Sequence, residues 1–157
     1  MKRLLTLAIL LFGLTTTAYA QSNVATQEVE INVSEINVIA VQGEISMTIS
    51  QATAGQAPDA ATDAGTYALT TNGTKKKITA ELDEDMPTGL TLNANMSAPS
   101  GAGSKGKKSL SDEAVDLVTD ITQVRGSGLA LNYEAVATVD ADPDTYKRTV
   151  TYTVTSN

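Results

Sequence analysis

The stretch DADPD, Asp140 to Asp144, places three carboxylates at alternate positions, and it is the segment closest to a metal site. Carboxylates so spaced can converge on a hard cation such as calcium, which takes about six to eight oxygen ligands. An EF-hand loop would have Gly at its sixth position, where Thr145 stands, and Glu at its twelfth, where Thr151 stands. Asp140, Asp142 and Asp144 therefore form a candidate calcium loop of another type. The plainer reading is a hairpin tip whose Asp and Pro residues favour the turn. Calcium is the only cofactor that the residues suggest.

Most other chemistries are excluded by composition. The chain has no His and no Cys. Nucleophilic triads of the common kind lack their base, thiol chemistry is ruled out, and a structural zinc site lacks its usual ligands. The run GAGSKGK, Gly101 to Lys107, has the wrong spacing for a phosphate loop and no strand–helix frame around it. Paired carboxylates can hydrolyse glycosides, and Asp83, Glu84, Asp85, Asp112, Glu113 and Asp116 supply acids. They sit in apparent turns with almost no aromatic surface for a sugar, so a solvated acidic rim is expected and no enzyme. NVS, NGT and NMS, from Asn32, Asn72 and Asn95, match the glycosylation acceptor pattern. Such triplets arise readily by chance in a Ser/Thr-rich chain, and the short leader has a bacterial look.

That leader is MKRLLTLAILLFGLTTTAYA. Lys2 and Arg3 precede an apolar run, Leu4 to Leu14, and Ala18-Tyr19-Ala20 is a small-x-small cleavage site. The run is too short for a spanning helix, which needs about 20 apolar residues. Residues 1–20 are thus read as a cleaved signal peptide and 21–157 as one mature domain, with no membrane insertion after cleavage. Its place would be the periplasm, the cell surface or the extracellular space. Without Lys2 and Arg3 the 11 basic residues fall to 9, against 18 acidic ones, a net charge of −9. Such a surface repels nucleic acid.

The elements that must position any site read as strands. Val29, Ile31 and Val33 alternate with Glu28, Glu30 and Asn32, the period of a half-buried strand. Ile36, Val38 and Ala40 resume the pattern after a slip, and Ile45, Met47 and Ile49 repeat it. Residues 51–65 read as a long loop. Gly65 to Leu82 reads as a hairpin turning at Asn72-Gly73. Leu90 to Met96 forms the next strand, and the Gly/Ser-rich residues 97–108 a flexible link. Ser111-Asp112-Glu113 resembles a helix N-cap, and Ala114, Val115, Leu117 and Val118 follow at roughly helical spacing. One short helical turn is expected near 112–118, with a strand as the alternative. Gly126-Ser127-Gly128 reads as a turn before a strand from Leu129 to Ala137, and Val150, Tyr152 and Val154 end the chain in another. Seven to nine short strands with frequent turns predict an all-β fold, an antiparallel Ig-like or pilin-like β-sandwich.

Four pieces, EVEINVSEINVIAVQG, KKITAELDEDMPTGLTL, VRGSGLALNYEA and RTVTYTVTSN, together resemble small exported sandwich proteins of bacteria, Bacteroidota in particular. The wider likeness is to secreted pilin and fimbrial subunits, single β-sandwiches with an alternating N-terminal segment and a strand at the extreme C-terminus. The chain departs from the chaperone–usher pilins in lacking a Cys pair and the Gly of their C-terminal motif.

The resemblance implies an exported, non-enzymatic structural or adhesive subunit that assembles by β-strand pairing with itself or other surface subunits. Val29, Ile31 and Val33 would fill an apolar groove as a donated or edge strand, and the final strand would border that groove. Pairing of both strands within one monomer is the rival arrangement. The alternative function is a monomeric periplasmic or surface binding module, with calcium dependence as one form of it.

Overall fold

The computed structural model describes residues 23–157. The leader and its cleavage site lie outside them. The chain separates into two units, Met1–Asn32 and Val33–Asn157. The described residues of the first unit, 23–32, are exposed and belong to no strand.

The second unit is all strand and loop, without a helix. Its strands are β1 (Asn37–Gln42), β2 (Ala61–Thr71), β3 (Lys76–Leu82), β4 (Leu90–Met96), β5 (Gly103–Ser104), β6 (Lys108–Ser109), β7 (Val115–Ile121), β8 (Val124–Ala137) and β9 (Val150–Ser156). They form two antiparallel sheets, ordered β1-β2-β8-β4-β6 and β5-β7-β3-β9. Each sheet turns one apolar face inward, as alternation along a strand requires. Tyr67, Leu69, Leu92, Ala94, Met96 and Leu131 from the first sheet pack on Ile78, Ala80, Leu82, Leu117, Val118 and Ile121 from the second. The predicted antiparallel β-sandwich is thus the observed fold.

Several expectations are corrected. The helical turn near 112–118 is absent, since Val115–Ile121 is strand β7. Two register shifts against β3 put extra residues into β7, so Leu117 and Val118, adjacent in sequence, are both buried. A doubly bulged strand loses its period of two and imitates helical spacing. The presumed turn at Gly126-Ser127-Gly128 lies inside β8, where the ladder steps from Tyr67↔Leu129 to Leu69↔Gly126. Gly128 absorbs the bulge at φ +64°, a conformation open to glycine at little cost.

The Gly65–Leu82 hairpin is not formed either. β2 pairs with β1 and β8, whereas β3 pairs with β7 and β9. Residues 72–75 carry the chain from one sheet to the other. Had β2 and β3 paired, their apolar faces would share one sheet surface; arched apart, they cover each other. The loop expected over 51–65 is also shorter, because β2 begins at Ala61. Finally, Val29–Val33 is not half-buried strand, and residues 43–50 belong to no ladder.

Candidate functional site: an unpaired apolar segment, an edge strand and a groove

The chain entering the sandwich is fixed at the β2–β3 link. Ile36 N donates to Asn72 Oδ1 at 2.7 Å, and Asn72 Nδ2 donates to Ser34 O at 2.8 Å. Asn72, expected to serve a tight turn, thus holds the incoming strand. Next to it the buried Lys76 ammonium sits 2.7 Å from the Glu35 carboxylate and 3.2 Å from Ser156 Oγ. Lys76 and Asn37 hold the Glu35 carboxyl below its ordinary range, because both hydrogen-bond to the charged form. This cluster ties Glu35, just before β1, to the last residues of β9.

Before the anchor, the apolar side chains are largely exposed. Val29 is 71 % exposed, Ile31 79 % and Val33 77 %. Single exposed aliphatics are common on proteins, but three at alternate positions make a continuous apolar edge. Glu28, Glu30 and Asn32 are also exposed, and Asn32 Nδ2 donates to Glu30 Oε1 at 3.0 Å.

At the other end of the ladders lies a groove of about 1170 Å³. It opens where β4 and β9 begin and β8 ends. Leu90, Leu92, Tyr133 and Ala137 line it from the first sheet, and Val150 and Tyr152 from the second. The Tyr133 and Tyr152 hydroxyls hydrogen-bond to each other across the two sheets. Burial pushes both phenols to higher pKa, since the charged form is the poorly solvated one. Ile45, Met47 and Ile49 form the outer wall, half-buried with exposed residues between them. That segment looks like a strand in its alternation but lacks a ladder partner. Ser46 N bonds instead to Asp63 Oδ2 at 2.8 Å.

β9 completes the arrangement. It pairs with β3 on one side, from Lys76↔Ser156 to Leu82↔Val150, and among the described residues with no strand on the other. Val150 and Tyr152 of this strand line the groove. An unpaired strand edge beside apolar walls is equipped to add another strand.

A second concavity, of about 380 Å³, lies on the outer face of the first sheet. Asn95 and Asn132 face each other in register there, as do Asn93 and Glu134. Glu134 accepts from Lys107 Nζ at 2.7 Å and Asn93 Nδ2 at 3.1 Å, which holds its carboxyl below the usual range. Asn95 and Asn132 make no side-chain hydrogen bond among the described residues.

The acidic segments serve the loops. Arg148 donates to the carbonyls of Glu84 and Asp85 at 2.8–3.0 Å. Asp83 and Asp85 accept from the backbone N–H groups of Thr149 and Asp112. The calcium candidates do not converge. Asp140 Oδ2 accepts from Thr138 Oγ1, and Asp144 Oδ1 from Thr145 N. Asp142 contributes its backbone carbonyl to Tyr146. Among the described residues no group of three acidic side chains is placed to hold a metal ion.

Sequence reasoning named the alternating segment and the last strand but missed the groove's far wall and its tyrosine bridge. The alternation of Ile45, Met47 and Ile49 was visible, yet it signals half-burial without saying that a backbone partner is lacking. No protein-family model, curated protein or solved structure matches the chain.

Proposed function

We propose that this chain is an exported, non-enzymatic structural or adhesive subunit that assembles by β-strand pairing, with Glu28–Val33 as the strand it contributes. One observation carries the reading: Val29, Ile31 and Val33 show strand alternation and remain 71–79 % exposed outside every ladder. An apolar edge of that kind is costly in water and is covered when it meets a partner. The leader, with its Ala18-Tyr19-Ala20 site, supports delivery outside the inner membrane. The edge strand β9 supports strand addition as the mode of contact. Sedimentation of mature protein, residues 21–157, tests the reading. Concentration-dependent assemblies that Ile31→Asp abolishes are expected; a parent that stays monomeric up to millimolar concentration refutes it.

The concavity around Asn95 and Asn132 favours a second reading, a surface binding module. Asn is disfavoured within strands, and here two unpartnered amides face one another on adjacent strands.

A further inference from the structure

Resting on the second reading above, we infer that the concavity on the outer face of the first sheet is a binding site for a neutral, hydroxyl-rich ligand, a short glycan. The first ground is how its floor is built. β8 lies between β2 and β4, and their outward side chains form two rows. Ala64, Asn132 and Asn95 stand in register in one row, and Thr62, Glu134 and Asn93 in the other. Strands lie about 4.8 Å apart and like-facing residues about 6.8 Å apart along a strand, so the rows cover roughly 10 by 7 Å. That is the scale of one or two sugar rings. Ala64 is too short to fill the space beside Asn132, and Lys107, just before β6, closes one side. The enclosed 380 Å³ is within the range of small-ligand sites, about 300–1,000 Å³.

The second ground is what these residues do not do for the fold. Asn is a poor strand former, yet β4 carries Asn93 and Asn95 and β8 carries Asn132. Asn95 and Asn132 make no side-chain hydrogen bond among the described residues that would offset this. Glu134 takes Lys107 and Asn93 on one oxygen, Oε2, and among the described residues its Oε1 accepts nothing. Residues that work against local structure without internal compensation mark functional positions.

The third ground is the chemistry on offer. Each free amide presents a donor and an acceptor side by side, and a hydroxyl answers both. Lys107 and Glu134 cancel each other's charge, so the site holds no surplus for an ion. The Asp63 carboxylate and Tyr133 hydroxyl are engaged elsewhere, with the backbone of Ser46 and Ala64 and with Tyr152. An apolar ligand would leave the amides dry and unpaired. An extended peptide binds by adding to a sheet edge, whereas β8 is paired on both sides along this stretch. Among the described residues no aromatic ring faces the concavity, so binding rests on hydrogen bonds and is weak, with Kd about 0.1–10 mM. Repeated on every subunit of an assembly, such sites act together.

The test is a titration of the mature chain, residues 21–157, with neutral di- and trisaccharides of glucose, galactose, mannose and N-acetylglucosamine, read by the side-chain amide resonances in NMR. At least one saccharide should shift the Asn95 and Asn132 amides, with Kd in that range. Asn132→Thr and Asn95→Thr should each weaken this binding about fivefold or more. Their melting temperatures should equal or exceed the parent's, since threonine is the better strand former. Saccharide binding that both variants keep would place the site elsewhere and overturn the inference. If no saccharide moves these amides but an uncharged peptide, N-acetyl-trialanine amide, does, the ligand class is wrong and the binding-module reading survives. If neither probe moves them, that reading falls together with this inference.

Discussion

Replacing Val29, Ile31 and Val33 together by serine separates what the segment does inside one molecule from what it does between molecules. Full burial of such a side chain is worth about 1.5–3 kcal/mol. With 71, 79 and 77 % of their surface exposed, about a quarter is covered, which caps their joint contribution to a lone subunit at roughly 1–2 kcal/mol. The true figure is smaller, because chain neighbours give much of that cover in the unfolded state too. Assembly covers the remaining three quarters, which is worth roughly 3.5–7 kcal/mol before the cost of association. Each 1.4 kcal/mol or so is tenfold in affinity, so the triple variant should weaken self-association by at least about a hundredfold. Thermal melting of parent and variant at sub-micromolar and at high concentration reads both effects. In the dilute samples the two midpoints should agree within a few degrees; at high concentration only the parent should gain. At about 4 °C per kcal/mol for a domain of this size, a dilute variant melting more than 10 °C below the dilute parent would show that the segment is packed within its own chain, and the reasoning would fail.

Three further outcomes are expected. Gly89→Ala should lower stability in urea by about 1–3 kcal/mol or more, because Gly89 has φ +84° and an added Cβ would lie 2.6 Å from Ala141 N; an unchanged midpoint would remove the strain argument. Stability should fall at both extremes of pH. Glu35, Asp63 and Glu134 have folded pKa values below their ordinary ones, 4.5, 3.8 and 4.5, so their contribution holds above those values and is lost as pH falls beneath them. Tyr67 is pushed by burial from 10 up to about 12, so its contribution is complete below pH 10 and lost between there and about 12. A tyrosine absorbance titration in which every phenol ionises near pH 10 while the fold persists would contradict this. Calcium at 1 mM should leave the melting temperature unchanged, since Asp140 and Asp144 accept from separate local donors and no group of three acidic side chains is gathered among the described residues; a rise that Asp142→Ala cancels would restore a metal site.

Regular strands were legible from sequence because the period of two survives wherever a ladder is unbroken, as in β4 and β9. It fails where bulges intervene. Leu117 and Val118 both point inward because β7 carries extra residues, and no local pattern separates that from a helical turn. Asn72-Gly73 signals a reversal but not whether the strands it joins pair or part; that depends on which inner faces need cover, a property of the whole sandwich. The same limit applies to the site. Val29, Ile31 and Val33 were recognisable as a strand face, yet alternation cannot tell a strand that has a partner from one that lacks it. The groove is assembled from residues as far apart as Ile45 and Tyr152, and no spacing along the chain announces it. Asp140, Asp142 and Asp144 show the converse: neighbours in sequence, they are not gathered into a group that could hold a metal ion.

The most direct measurement compares residues 21–157 with residues 34–157 by sedimentation and electron microscopy across a range of concentration. The shorter chain keeps Ser34, Glu35 and both sheets. The longer one should form concentration-dependent, open-ended assemblies, and the shorter one should remain a folded monomer. Two chains that sediment alike, both monomeric or both assembled, would contradict a subunit that joins its neighbours through the strand before Ser34.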